Sequence, residues 1–302
     1  MGTNELLVEA GVAGGARAGA AGAALVRALE RRLRPAGVAP RAEDGSDYRQ
    51  GLGAGRAFGR GGRGCRCRQC RQRNRHLHPA VRKVDRAAAI EWDPDEQEAV
   101  SAEGPHEDLF GHRTACAGIS LRGAPDAALR SVRVLGRRLS GKGLVFAAGL
   151  RWAMAQGEWV VNLLLSTRRE DYHELFHEIA DEAAFAGVVL VCRANNVPAP
   201  RYPAQFSSVI SVAAHEGTDP FCIDVNVGHP VDFGAPGIDP GVPWVDGGTI
   251  VLTGNSFAAP HVTGLVARML SEHPHLTPYE VKTVLRAVAS NAERKDGGCN
   301  DG

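Results

Sequence analysis

Gly254-Asn255-Ser256-Phe257-Ala258-Ala259-Pro260-His261-Val262-Thr263-Gly264 is the stretch on which the fold turns. Small, turn-forming residues run directly into a helix read over 257–271, so Ser256 falls at the helix N-terminus. A serine there lies at the positive end of the helix dipole, and its own backbone N–H is free to face an oxyanion. Ala258, Ala259 and Gly264 would let this helix pack close to its neighbours. A Gly-x-Ser-x-Gly elbow is excluded, because the fifth position is Ala258. For an isolated Gly-x-Ser before a helix, a plain N-cap serine is the competing reading.

From His78 onward, strand-like and helix-like segments alternate in the manner of a parallel α/β sheet. Strands are expected over 132–135, 159–165, 188–192 and 209–214, and helices over 144–156, 172–186 and 278–289, the last with Thr277 as N-cap. Gly187 ends the helix before it. This order predicts a doubly wound parallel sheet with helices on both faces. With 302 residues, 44% hydrophobic and 23% charged, the chain has the make-up of one globular enzyme domain.

A net charge of +1 gives no global reason to expect nucleic acid or an anionic membrane. No stretch approaches the ~18 to 20 apolar residues of a spanning helix. Residues 1–56 are rich in Ala, Gly and Arg, with a short helix read over 23–33, and are expected to be poorly ordered. Glu9 and Arg17 interrupt their apolar part and no basic run precedes it, which argues against a secretory signal. Cys116, Cys192, Cys222 and Cys299 are scattered, which suggests no disulfide framework. A cytoplasmic location is expected. The main domain is placed at 57–290, with a flexible tail at 291–302.

The eleven positions from Gly254 to Gly264 closely resemble the subtilase nucleophile motif, Gly-Thr-Ser-[Met/Phe]-Ala-[Ala/Thr/Ser]-Pro-His, departing chiefly at Asn255. Gly111-His112-Arg113-Thr114-Ala115-Cys116-Ala117-Gly118-Ile119 resembles the family's His-Gly-Thr helix start, with Arg113 in place of glycine. The resemblance implies a subtilisin-like serine endopeptidase in which Ser256 is the nucleophile and His112 the general base, a role suited to imidazole near neutral pH.

Val189-Leu190-Val191-Cys192-Arg193-Ala194-Asn195-Asn196 resembles the Ala-Ala-Gly-Asn turn, which makes Asn196 the side-chain donor to the oxyanion. Taken alone, paired asparagines after a strand also read as turn formers. Further matches at 131–136, 160–166 and 233–237 extend the resemblance from His78 onward. They imply that extended peptide or protein substrate pairs along Leu135, Gly136, Leu164, Leu165 and Ser166. Leu164 and Ser166 replace the family's usual serine and glycine.

The family's first motif, a strand running into Asp-[Ser/Thr]-Gly-[Ile/Val]-Asp, should precede His78-Pro79. Counting back places the catalytic aspartate at Arg71, inside an Arg/Cys-rich segment, 57–77, that holds no carboxylate. A zinc site on Cys65, Cys67 and Cys70 lacks a fourth ligand and paired spacing. A nucleic-acid arm lacks interleaved aromatic residues. The favoured reading is a shifted frame: with permitted codons, Cys67 through His76 re-reads as Val-Val-Ser-Val-Asp-Ser-Gly-Ile-Asp, its first aspartate spanning Arg71 and Gln72. The rival to an active enzyme is a non-catalytic peptide-binding module on the same fold.

Asp93, Asp95, Glu96, Glu98 and Glu103 cluster around Pro94 and read as a solvated loop. Subtilases often bind calcium in loops, but this spacing matches no EF-hand. His215, His229, His273 and His275 show no metal-ligand spacing. Neither metal nor cofactor is expected.

Overall fold

The computed structural model describes residues 8–10, 81, 84–104, 111–135, 141–195, 200–226, 231–238, 241–244 and 247–292. In chain order the elements are β1 (Val8–Ala10), β2 (Val84–Asp93), β3 (Glu98–Glu103), α1 (His112–Gly123), β4 (Leu129–Arg133), α2 (Gly143–Ala155), β5 (Val160–Leu163), α3 (His173–Phe185), β6 (Val189–Arg193), β7 (Val209–His215), β8 (Asp224–Val225), β9 (Phe233–Pro236), β10 (Gly241–Pro243), β11 (Thr249–Val251), α4 (Asn255–Glu272) and α5 (Pro278–Val288). The helix read over 23–33 and the Arg/Cys-rich segment lie outside the described residues.

A nine-stranded sheet runs β3-β2-β4-β1-β5-β6-β7-β9-β8. Its frame is parallel, as the sequence predicts: β2 pairs parallel with β4, and β5, β6, β7 and β9 pair parallel in succession. Antiparallel members were not expected. Strand β1 lies between β4 and β5 and runs against both, while β3 and β8 close the two edges by antiparallel pairing.

Alternation along β6 shows how both faces are covered. Val189 and Val191 enter a core cluster with residues of α1, α4 and α5, whereas Leu190 and Cys192 enter another with residues of α2 and α3. Strand residues buried on both faces read as an unbroken apolar run, which is why 188–192 was legible. Each fully buried leucine or phenylalanine, such as Leu150, Leu163 or Phe176, contributes about 1.5–3 kcal/mol of transfer energy.

The strand expected at 132–135 is β4 at Leu129–Arg133. Val134 and Leu135 are buried but leave the ladder, so the apolar run and the hydrogen-bonded run are offset. The acidic cluster is a hairpin rather than a loop. Asp93 ends β2, and its Oδ1 accepts from the N–H groups of Asp95 (2.8 Å) and Glu96 (3.2 Å), which closes the turn into β3. Thr277 caps α5 as expected. It forms a capping box: its Oγ1 accepts from the Glu280 N–H, and the Glu280 carboxylate accepts from the Thr277 N–H at 2.8 Å. Asn291, placed by the sequence in the tail, donates to and accepts from the Val225 backbone at 2.9 and 2.7 Å. Among the described residues no helix is long and apolar enough to cross a membrane.

Helices α1 and α4 touch backbone to backbone, and this contact sets the site. A Cβ on Gly264 would lie 2.5 Å from the Ser120 carbonyl oxygen and 3.1 Å from the Gly123 Cα, so the helices could accept it only by separating. Gly264→Ala is therefore expected to destabilise the fold by about 1–3 kcal/mol, read as a lower urea midpoint at unchanged slope.

Candidate active site

Gly254 precedes α4 as its N-cap, and its N–H donates to the Gly237 carbonyl at 2.8 Å. Gly237 has to be small, because an added Cβ would stand 2.7 Å from the Ala214 Cβ and 3.0 Å from the Gly254 oxygen. Asn255, the one departure inside the nucleophile stretch, ties the helix start to the sheet. Its Oδ1 accepts from the Ala214 N–H (2.8 Å) and its Nδ2 donates to the Ala194 carbonyl (3.2 Å). An amide can donate and accept along two directions at once, so one side chain links the ends of β7 and β6 to the residue before Ser256.

His112 is the first residue of α1, and Gly111 before it holds φ +77°, the left-handed region. A Cβ at Gly111 would lie 2.6 Å from the Trp244 ring, so both conformation and space demand glycine. The His112 Nε2 and Ser256 Oγ, 144 residues apart in sequence, lie 2.9 Å apart. Phe257 stands against the imidazole with ring centroids 5.2 Å apart. Arg113, half-buried, is the next residue of the helix.

Cys116 belongs to the His112 motif, and the sequence assigns it no role. One turn on from His112, its Sγ lies 3.8 Å from His112 Nδ1 and donates to the Ser256 carbonyl at 3.4 Å. That carbonyl would ordinarily accept from the N–H four residues on, but the residue there is Pro260, which has none. With the thiol hydrogen directed at the carbonyl, this sulfur contact suits the tautomer protonated at Nδ1, the one that leaves Nε2 open towards Ser256. The i, i+4 spacing of His112 and Cys116 on one helix was the available signal.

Of the substrate residues named from sequence, Leu135, Leu164, Leu165 and Ser166 follow the carboxyl ends of β4 and β5, while Ala194 and Asn195 follow β6. Carboxyl ends of parallel strands are where α/β sheets bind ligands. Leu164 is fully buried in the core, so only its backbone can meet a peptide, and its carbonyl already accepts from Arg193 Nε at 2.5 Å. Gly136, Asn196, Arg71, Cys65, Cys67 and Cys70 lie outside the described residues. Among the described residues no group of three or more His, Cys, Asp or Glu is placed to hold a metal ion.

His261, a turn along α4 from the serine, is buried. Burial first, and then the charge of Arg122, push its pKa down from 6.5 to about 4, and the hydrogen bond to the Pro220 carbonyl does not offset them. The unfolded chain therefore binds a proton that the folded chain refuses. Stability from this group is complete above pH 6.5 and is lost as pH falls towards 4, by about 3 kcal/mol. Melting temperatures measured across that window should fall in the native chain, and the fall should be smaller in His261→Gln.

A family model described as the subtilase family matches residues 73–301. The "Thermostable alkaline protease" of Halalkalibacterium halodurans is 30% identical over 203 residues, which are 63% of this chain and 55% of that protein. "Subtilisin DY" of Bacillus licheniformis is 30% identical over 207 residues, 64% of this chain and 75% of that protein. The chain thus spans little more than half the length of the first of these relatives.

Among solved structures, a cold adapted subtilisin-like serine proteinase superposes with a TM-score of 0.54 at 27% identity, covering 70% of this chain and 77% of that one. Sphericase, at 22% identity and a TM-score of 0.55 over 70% of this chain and 78% of its own, shares the fold. With the family pattern matched across most of its length and the same architecture in both solved structures, this chain belongs to the subtilase family.

Proposed function

We propose that the chain is a serine endopeptidase whose nucleophile is Ser256. The observation that carries this reading is the 2.9 Å approach of His112 Nε2 to Ser256 Oγ. His112 takes the hydroxyl proton as Oγ attacks a peptide carbonyl, then gives that proton to the leaving amine. The resulting acyl-enzyme is cleared when water, deprotonated by the same imidazole, attacks the ester. The Ser256 N–H, free at the helix start, and the Asn196 side chain are the oxyanion donors in this scheme; loss of one such donor costs about 2.7–4 kcal/mol. Peptide is held in extended form along Leu135, Gly136 and the 164–166 segment, by backbone pairing.

A second reading keeps the peptide and drops the chemistry. It is favoured by the absence of any carboxylate from 57–77, where the family's aspartate should stand. A serine-reactive fluorophosphonate separates the two. Labelling at Ser256 that disappears in Ser256→Ala supports the enzyme, and a folded chain that takes no label is a binding module.

A further inference from the structure

Three arginines converge where β5 and β6 leave the sheet. Arg193, the last residue of β6, is 7% exposed. Its Nε donates to the Leu164 carbonyl, and its two terminal nitrogens carry no hydrogen bond to the described residues. Thr167 and Tyr202 form an antiparallel bridge with both N–H···O distances at 2.9 Å, which sets Arg168 opposite Arg201. Arg168 is exposed, Arg201 is half-buried and its Nε is buried without a partner, and Arg193 is buried, so positive charge leads from the surface inwards.

None of the three belongs to an ion pair with the described residues. Like charges placed opposite each other across strands are destabilising. A guanidinium buried without a carboxylate is more so. The cost is visible at Arg201, whose pKa is lowered by burial first and then by the charges of Arg168 and Arg193. Ser166, 8% exposed, lies between Leu164 and the Thr167–Tyr202 bridge, and its Oγ also has no partner. Buried donors without acceptors in a native chain are met by ordered water or by an acceptor supplied from outside.

The site adjoins the nucleophile. Ala194, next to Arg193, accepts from Asn255, the neighbour of Ser256, and Arg193 lies within electrostatic reach of Cys116, whose thiol donates to the Ser256 carbonyl. We infer that Arg193, Arg201, Arg168 and Ser166 form an anion subsite that selects a peptide carrying a glutamate or aspartate side chain close to the bond presented to Ser256. Arg193 supplies the inner donors of a fork that matches a carboxylate, Arg201 and Arg168 draw the charge in from solvent, and Ser166 completes the acceptor's shell.

The inference rests on the peptide-binding part of the function proposed above, so its test reads binding in the full chain carrying Ser256→Ala. Dye-labelled alanine pentapeptides with one glutamate at each position in turn are compared with glutamine counterparts by fluorescence anisotropy. At one position glutamate should bind about 10- to 100-fold more tightly than glutamine. The difference should vanish in Arg193→Met and shrink in Arg201→Gln, a half-exposed position that guards against misfolding of the first variant. Equal binding of glutamate and glutamine at every position, a preference that survives both substitutions, or no binding of any peptide overturns the inference. Fluorophosphonate labelling of the unaltered chain is read separately, so loss of the serine chemistry and loss of the acidic preference are told apart.

Discussion

Ser256→Ala is expected to abolish fluorophosphonate labelling and to lower kcat/KM for peptide hydrolysis by about 10²-fold, far less than a complete triad would show. The size follows from the way the groups act as a unit. In subtilisin, the worked system behind these magnitudes and a relative of this chain, removing the serine costs about 2 × 10⁶ in kcat and removing the aspartate alone about 3 × 10⁴. The 57–77 segment, where the family's aspartate should stand, holds no carboxylate, and a histidine left without one would already have lost most of what the serine can deliver. On the Nδ1 side of His112 stands the Cys116 sulfur at 3.8 Å, a weak hydrogen-bonding partner for the ring. Steady-state hydrolysis of a peptide amide by the two proteins is the measurement. A loss near 10⁶ would show that a carboxylate does support His112, and an unchanged rate would remove Ser256 from the mechanism.

The second large effect runs the other way. Rewriting Cys67 through Arg75 as Val-Val-Ser-Val-Asp-Ser-Gly-Ile-Asp, the sequence held in the alternative frame, should raise kcat/KM by about 10⁴. Arginine at 71 offers five donors and a fixed positive charge, the opposite of what an imidazolium forming at His112 requires. A carboxylate there would orient the ring through Nδ1 and be present as the charge develops. In the rewritten chain the penalty for Ser256→Ala should grow to about 10⁶, because serine, histidine and carboxylate would again act together. If the rewritten chain melts cooperatively yet gains no activity, the shifted-frame reading fails. The codons at 67–76 give an independent check, since they must permit the aspartate motif when read one base on.

Much of the fold was legible because its signals are local. The apolar run of β6, the helix of α4 and the Thr277 cap each follow from neighbours in sequence, and each lies within a residue or two of its expected place. The Val84–Asp93 and Glu98–Glu103 hairpin was not legible. Its exposed, charged β3 resembles a loop until β2 is there to pair with it, and the three-residue β1 is defined only by its pairing with β4 and β5. Ladder hydrogen bonds are made with distant partners, so strand ends are decided by those partners rather than by apolar runs.

The same division applies at the nucleophile. Gly254 to Gly264 by itself determined that Ser256 opens a helix beside small residues, because dipole, turn and packing requirements are written in consecutive positions. Only the tertiary structure decided what surrounds that serine. It placed His112 within 2.9 Å and gave Asn255 two partners at the ends of separate strands. It also set the Cys116 thiol against the carbonyl that Pro260 leaves without a helical donor, and gathered Arg168, Arg193 and Arg201 at one sheet end. Those contacts join residues dozens to more than a hundred positions apart, and no local pattern encodes them; the packing of α1 on α4 and the register of the parallel strands do.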